Sequence, residues 1–379
     1  MCEEAVYDVV ALVELLIDFT PVSTDGAGCP TLKANPGGAP GNLLAALSRY
    51  GRRTAFLGKV GEDAFGRLLL ESLRRAGVQT RGIRLTSSAF TTLAFVTLDA
   101  AGDRSFSFAR KPGADTQLRW EEVDRSLIQR CRLFHFGSLS LTDEPARSAT
   151  RAAVAYAREL GRTVTFDPNL RLPLWPSPAE ARAQILWSLC QADVVKLSDE
   201  EVDFLWGCSP QEGARRLLEE CGCTVIAIPC NTSHYFVDRI QQEIGIPILH
   251  MIRETARTLV AQGKRRPAIL ATDGTIRTGL YQKECAAFGL EAAPPEPAVQ
   301  RLVMSIIYEE IKRGERGSRE KFAQIDRALA SMGCDCAILG CTELSVFRSY
   351  HSLPPFYVDA MEVLAELAVV RCGKQLRTI

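Results

Sequence analysis

Apolar strand-like segments and helix-like segments alternate along nearly the whole chain. The mostly apolar run from Val9 to Phe19, with Asp18 near its end, predicts one buried strand, and the glycine-rich turn at 36–41 opens a helix that stops at Gly51. In the second half, strand-like segments recur at 224–228, 246–249, 268–271, 336–339 and 356–358. This alternation is typical of an α/β fold with a mainly parallel sheet, which is the fold class we predict.

One pair of segments departs from this pattern. Residues 91–98 and 104–108 are both strand-like, and the short polar segment 99–103 joins them. Two strands with so short a connection predict an antiparallel β-hairpin. Within a parallel α/β pattern, such a hairpin is expected to form a small lid at one edge of the sheet.

Charge and composition narrow the function. The 379 residues carry 45 Lys+Arg and 45 Asp+Glu, so the chain offers no net field to attract nucleic acid or an anionic membrane surface. No apolar run reaches the ~20 residues that a membrane helix needs. The acidic start at 1–4 does not resemble a signal peptide, and 13 cysteines, an odd number in a long chain, favour reduced thiols in the cytoplasm. We therefore expect a cytoplasmic protein that acts on small molecules.

Two segments of the second half resemble each other. Residues 222–232 and 333–343 each begin with glycine and carry a cysteine eight positions later, Cys230 and Cys341. In both, an apolar strand delivers the cysteine to its carboxyl end. Ligands of open α/β sheets bind outside the carboxyl ends of strands, so the repeat predicts two thiols at one cleft.

Two facing thiols suit proton exchange at a carbon centre. One thiolate removes a proton from one face and the other thiol returns a proton to the opposite face, which inverts a stereocentre without a cofactor. The side chains of Asn231, Thr232 and Thr342 are candidates to bind the substrate carboxylate. The turn at 272–275, with Thr272 and Thr275, is a candidate anion site at a helix start.

Two other interpretations of the cysteines remain open. Free cysteines are often small buried packing residues, and that interpretation applies to both members of the pair. The C-x-C pairs could instead bind zinc, but their spacing is not C-x-x-C and they lie at predicted strand starts, so we expect no metal. These pairs are Cys221 with Cys223 and Cys334 with Cys336.

The segments 229–234, 271–275 and 339–344 resemble the aspartate/glutamate racemase family. The resemblance runs from about Cys221 to the C-terminus and implies racemase-like Rossmann-type α/β units. It also implies a PLP-independent amino-acid racemase, an isomerase that needs no cofactor, with Cys230 and Cys341 as the acid/base pair. Nothing before Cys221 matches this family, so about the first third of a racemase is missing.

The first half resembles a different family, the PfkB/ribokinase family of sugar kinases, and within it the fructokinases. The resemblance extends from about residue 7 to 220 and implies a ribokinase-like parallel sheet with a β-hairpin lid, together with ATP and Mg²⁺ as cofactors. The segments that carry it are Asp18, 37–42, 58–66, 166–171 and 196–201.

That resemblance also implies roles for individual residues. Asp18, Gly38, Asn42 and Arg110 would contact the sugar, and the nucleotide and magnesium would lie near Asn169, Lys196 and Glu201. The family's Gly-Ala-Gly-Asp motif, whose aspartate is the general base, does not occur in the sequence. Phosphoryl transfer depends on positioning and charge stabilisation, so this absence argues against efficient turnover.

The sequence therefore predicts a fusion of residues 1–220, which are fructokinase-like, with residues 221–379, which are racemase-like. The leading hypothesis is an aspartate or glutamate racemase. The alternatives are an ATP-dependent fructokinase and a catalytically silent sugar-binding chimera. Because members of both families often dimerise, the resemblances also imply a homodimer.

Overall fold

The structure is a computed structural model that describes residues 6–12, 14–98 and 104–371. The chain divides into two compact units, Met1–Pro210 and Gln211–Ile379. Among the described residues, every helix is too short or too polar to cross a membrane.

The described residues of the first unit form ten strands in two sheets. The larger sheet is entirely parallel, and its order of strands is β10-β9-β8-β1-β4-β5, with β1 and β8 at the centre. The ten strands are β1 (Tyr7–Leu12), β2 (Leu16–Thr24), β3 (Pro30–Gly37), β4 (Thr54–Gly61), β5 (Gln79–Thr86), β6 (Thr92–Leu98), β7 (Arg104–Ala109), β8 (Cys131–Gly137), β9 (Thr163–Asp167) and β10 (Val194–Val195).

Helices cover the larger sheet of this unit. A buried apolar cluster that includes Ile17, Leu44, Phe56 and Leu69 joins the first two helices to the sheet. Helix α2 begins where the Asp63 carboxylate accepts a hydrogen bond from the Gly66 N–H at 2.7 Å, a standard N-terminal cap. The helices are α1 (Ala39–Arg49), α2 (Ala64–Arg75), α3 (Arg125–Gln129), α4 (Ala146–Glu159), α5 (Pro178–Leu189), α6 (Asp199–Trp206) and α7 (Pro210–Cys221), the last of which crosses into the second unit.

The smaller sheet has the order β3-β2-β6-β7. Strands β6 and β7 pair antiparallel, as the sequence predicts, and the predicted connection at 99–103 lies outside the described residues. Strand β2 extends this hairpin by pairing with β6 in parallel and with β3 in the antiparallel sense. The predicted lid is thus part of a four-stranded sheet.

The prediction of one strand from Val9 to Phe19 is wrong. Strand β1 ends at Leu12 in the large sheet, and β2 starts at Leu16 in the small sheet. The acidic Glu14 lies between the two strands, and an apolar run alone does not show where a chain passes from one sheet to another.

The second unit contains two smaller parallel sheets. Strands β11 (Ile226–Ala227) and β12 (Ile248–Leu249) form one, and β13 (Pro267–Ala271), β14 (Cys336–Gly340) and β15 (Tyr357–Asp359) form the other. The helices are α8 (Val237–Glu243), α9 (Met251–Ala261), α10 (Asp273–Thr278), α11 (Leu280–Ala287), α12 (Pro297–Ser305), α13 (Arg319–Ser331), α14 (Thr342–Tyr350) and α15 (Ala360–Arg371).

The predicted α/β class with mainly parallel sheets is confirmed in both units. Apolar clusters cover both faces of β13 and β14, one around Tyr281 and the other around Phe322 and Phe347.

Candidate functional site

The Asp18 carboxylate lies directly over a glycine. A Cβ atom added to Gly37 would come 2.2 Å from Oδ2 of Asp18, and one added to Gly38, whose φ is 103°, would come 2.9 Å from the Glu14 carbonyl oxygen. The positive φ and the backbone contact require glycine at position 38, whereas a side chain at position 37 would displace the Asp18 carboxylate. The pKa of Asp18 is raised because the carboxyl is half-buried, and the positive charge of Arg171 opposes this shift.

The same corner of the first unit holds a cavity of about 460 Å³. Gly37 and Asn42 line it on one side, while Arg49 and Arg75 line it further along the two helices. This volume lies within the range of about 300–1,000 Å³ that is usual for small-molecule sites. The structure thus places Asp18 against Gly37, which lines this cavity together with Asn42, and the volume is large enough for a sugar.

Arg110 is buried instead of facing this cavity. Its guanidinium forms an ion pair with Asp115 at 2.7 Å and donates further hydrogen bonds to Oγ1 of Thr142 and the carbonyl of Leu139. These bonds hold the end of β7 against the segment that follows β8. A direct contact between Arg110 and a sugar would require some of them to break, and it stays a prediction.

A second set of charged side chains lies at the carboxyl ends of β9 and β10. Nζ of Lys196 is 3.4 Å from Oδ1 of Asp167 and 3.9 Å from Oε2 of Glu201. Both Glu201 oxygens already accept backbone hydrogen bonds, from the N–H groups of Leu170 at 3.1 Å and Ser198 at 2.8 Å. Glu201 therefore fixes the local backbone, while the half-exposed Lys196 is available to an anion.

Burial raises the pKa of Asp167, although the nearby Lys196 ammonium opposes the shift. The N–H of Asn169 donates to Oδ1 of Asp167 at 3.2 Å, and Asn169 itself has a positive φ of 44°. An ammonium beside a carboxylate suits the phosphates and divalent cation of a bound nucleotide, so these residues fit one side of a Mg·ATP site. The sequence analysis did not identify Asp167.

Glu14 is a second acidic residue that was not among the predicted site residues. Its carboxyl is buried, one of its oxygens has no hydrogen-bond partner, and burial raises its pKa to about 7. It lines a smaller cavity of about 90 Å³, together with the start of α1 and the ends of β8 and β9. The only sequence signal is a lone acidic residue inside an otherwise apolar run.

Comparisons with known proteins identify the first part of the chain. The family model described as "pfkB family carbohydrate kinase" matches residues 4–228. The chain belongs to the pfkB family. Among curated relatives, a probable fructokinase-7 of Arabidopsis thaliana is 47% identical over 203 residues, which cover 52% of this chain and 59% of that protein. A fructokinase-1 of Zea mays is 48% identical over 206 residues, covering 54% of this chain and 64% of that protein.

Solved structures of this pfkB type agree with these relatives. The fructokinase of Xylella fastidiosa is 37% identical with a TM-score of 0.52, and the match covers 56% of this chain and 66% of that one. A Vibrio cholerae fructokinase with bound fructose, ADP and calcium ion is 35% identical with a TM-score of 0.51, covering 56% and 68%. The chain thus spans about three fifths of the length of the curated fructokinases it matches.

A second family model, described as "Asp/Glu/Hydantoin racemase", matches residues 198–368. The two matches overlap between residues 198 and 228, a range that contains the predicted join. The two resemblances found in the sequence are therefore confirmed, in the predicted order along this pfkB-family chain, but the racemase match begins at residue 198 and not at Cys221 as expected.

Within the racemase-like part, the loop after β11 meets the loop after β13. Oγ1 of Thr232 is 2.8 Å from Oγ1 of Thr275, which is in turn 3.2 Å from Oγ1 of Thr272. The buried Asn231 accepts a hydrogen bond of 2.5 Å from the hydroxyl of Tyr281. Four of the predicted side chains thus lie near one another, and Cys230 is exposed beside them.

Tyr281 also lies beside the second cysteine segment. A Cβ atom added to Gly340 would come 3.1 Å from Cε2 of Tyr281, so this ring packs between Asn231 and the residue before Cys341. Tyr281 was not among the predicted site residues; it carries no charge and lies in helix α11. A tyrosine shared by both loops is the physical link between the two cysteine segments.

Cys341 is half-buried and donates a hydrogen bond of 2.8 Å to Oε2 of Glu343. Burial and this neighbouring carboxylate raise the pKa of the thiol to about 12. The hydroxyl of Thr342 donates to the same carboxylate oxygen at 2.9 Å. Cys341 is therefore held in its protonated form at neutral pH.

The four cysteines considered for zinc do not form a cluster. In the part of the chain that the structure describes, the ligand atoms within chelating reach of one another belong to Asp238, His250 and Glu284. Nε of Arg253 is 2.9 Å from Glu284, and its Nη2 is 3.2 Å from Asp238, so an arginine already neutralises these carboxylates.

Proposed function

We propose that the first unit binds a fructose-like ketose and that the chain is an ATP-dependent sugar kinase of the pfkB family. The observation that carries the proposal is the Asp18 carboxylate held against Gly37, which lines the larger cavity together with Asn42. A carboxylate and an amide at such an edge can accept and donate hydrogen bonds to vicinal sugar hydroxyls. Family membership and the fructokinase relatives support the same substrate class.

Bound Mg·ATP would supply the phosphoryl group. On the nucleotide side, the Lys196 ammonium would hold phosphate oxygens. The Asp167 carboxylate would bind the metal ion or accept a hydrogen bond from a water bound to it. Glu201 and Asn169 would keep the backbone of this loop in place, since their contacts are to backbone groups and to Asp167.

The expected turnover is weak. The sequence lacks the Gly-Ala-Gly-Asp segment that supplies the general base in the family it resembles. General-base catalysis contributes roughly 10²- to 10⁴-fold to a rate, so we expect turnover to be lower by about that factor. Sugar binding does not need this base and is expected to persist.

Two measurements on the full chain test the proposal. Titration calorimetry measures fructose binding, and a coupled assay measures ADP release from Mg·ATP. Asp18→Asn should abolish fructose binding, whereas Asp25→Asn, at the far end of the same β2–β3 hairpin, should not change it. Binding with slow ADP release supports the kinase, binding without release supports the silent sugar-binding chimera, and no binding by the parent contradicts both.

A second candidate function is supported by the packing of Tyr281 between the two cysteine segments. In an aspartate or glutamate racemase, the exposed Cys230 would act as thiolate base and Cys341, with its raised pKa, would act as thiol acid. Asn231, Thr232 and Thr275 would bind the substrate carboxylate, and the reaction would need no cofactor.

The test of this candidate is hydrogen exchange at Cα in deuterated water, with D- and L-aspartate and with glutamate. Cys230→Ala and Cys341→Ala should each abolish the exchange, and Cys29→Ala, an exposed cysteine of the first unit, is the matched control. Absence of exchange by the parent would rule out the racemase and leave the sugar function untouched.

A further inference from the structure

The Glu14 carboxyl is a buried acid without a complete set of partners. Its side chain lies in the segment between β1 and β2, the residue is 3% exposed, and Oε2 has no hydrogen-bond partner among the described residues. The backbone N–H of Ala39, at the start of α1, is close enough to stabilise the charged form. A buried acceptor without a hydrogen-bond donor is costly in free energy. In a folded protein such a group calls for an explanation, for example an ordered water or a bound ligand that donates to it.

The cavity beside Glu14 has walls from α1 and from the nucleotide side of the proposed site. It has a volume of about 90 Å³, and its lining includes Ala39 and Leu43 from α1 as well as Asp167 and Asn169 from the nucleotide side. This space accommodates a few waters or one hydroxymethyl group.

The charged and titratable groups around Glu14 leave a hydroxyl as the natural donor. Arg110 attracts the carboxylate and Asp115 repels it, but these two are already paired with each other. His135 lines the same cavity, and burial lowers its pKa to about 4, so it is neutral. No cation of the chain therefore reaches Oε2 within the described residues.

We propose that Glu14 is a sugar-binding residue, and that a hydroxymethyl group of the ketose enters this cavity and donates its hydroxyl hydrogen bond to Oε2. The inference rests on the proposed sugar binding and extends it to a residue outside the Asp18 and Asn42 set. The competing explanation is an ordered water in the cavity.

Deoxy sugars test this inference on the unaltered chain. Titration calorimetry at pH 8 compares fructose with 1-deoxyfructose and 6-deoxyfructose. A hydrogen bond to a charged acceptor is worth about tenfold or more in affinity, so one of the two analogues should bind at least about tenfold more weakly than fructose. If both bind as tightly as fructose, Glu14 receives no hydroxymethyl group and the inference is overturned.

Two substitutions assign the lost hydrogen bond to Glu14. Glu14→Leu removes the acceptor, so this variant should bind fructose and the weaker analogue with equal affinity. Glu14→Gln keeps a neutral acceptor, so this variant should retain part of the parent's affinity for fructose. The parent's affinity for fructose should rise between pH 6 and pH 8 as the carboxyl ionises, and that of Glu14→Gln should not. The exposed Glu159→Gln is the control for loss of one negative charge.

The outcomes distinguish a failure of the Glu14 inference from a failure of the proposed sugar binding. If the parent binds fructose with an affinity that Glu14→Leu and pH leave unchanged, the cavity holds an ordered water only, while the proposed sugar function stands. If the parent binds no fructose, the proposed function itself fails and this inference fails with it.

Discussion

Replacing Glu14 with glutamine should stabilise the first unit, and the gain should depend on pH. Burial raises the pKa of this carboxyl from 4.5 to about 7, so between these values the folded state holds a proton that the unfolded state releases. The contribution of Glu14 to stability is therefore greatest at low pH and is lost as pH rises from about 4.5 to 7. Glutamine does not titrate, so the free energy of unfolding of Glu14→Gln should exceed that of the parent by an amount that grows as pH increases.

The magnitude follows from the size of the shift. One pKa unit corresponds to about 1.4 kcal/mol, so the full shift amounts to roughly 3 kcal/mol, of which about 2–3 kcal/mol should appear between pH 5 and pH 8. Glu14 is buried, so solvent does not screen this effect. The expected result is an increase of that order in the stability difference between variant and parent.

The assay is urea unfolding followed by tryptophan fluorescence at pH 5, 6, 7 and 8. All four tryptophans lie in the first unit, so the signal reports on that unit: Trp120, Trp175, Trp187 and Trp206. The exposed Glu159→Gln is the control and should show no pH-dependent gain. A stability difference between Glu14→Gln and the parent that stays constant from pH 5 to pH 8 would refute the reasoning.

Three further predictions concern single contacts. Asp115→Asn removes the nearest charge partner of the buried Arg110 and leaves Asp143 at 3.6 Å, so it should destabilise the first unit by about 3 kcal/mol in the same urea assay; a loss below about 1 kcal/mol would contradict the buried pair. Gly37→Ala places a methyl group 2.2 Å from the Asp18 carboxylate and should weaken fructose binding at least about tenfold by calorimetry, whereas an unchanged affinity would place the sugar elsewhere. Iodoacetamide at pH 8 should not label Cys341, whose raised pKa leaves little thiolate, while a labelled Cys341 peptide in mass spectrometry would show the thiol to be more acidic and open than the structure indicates.

Much of the fold could be predicted from local patterns. The helix that begins after Asp63 and the hairpin of β6 and β7 depend on capping and on short connections, which the sequence shows directly. Strand β3 was missed, because residues 30–37 are mostly exposed and show no apolar alternation. Its place is set by pairing with β2, a contact that no local pattern encodes.

The candidate sites show the same limit. The positions of the two cysteines after apolar strands were visible as short motifs, whereas Asp18 lies inside β2 and not at the end of the predicted strand. The partners of Arg110 come from segments 5 to 32 residues away. Burial of Glu14 and the central position of Tyr281 depend on how distant elements pack. Such groups are found only when the three-dimensional arrangement shows an acid or a hydroxyl between two loops.

The most direct test of the central claim is the affinity of the full chain for fructose, measured by titration calorimetry in the parent and in Asp18→Asn. The account predicts saturable binding by the parent, loss of that binding in Asp18→Asn, and no change in Asp25→Asn. Absence of heat with the folded parent, or equal binding by parent and Asp18→Asn, would contradict a sugar site at the Asp18 carboxylate.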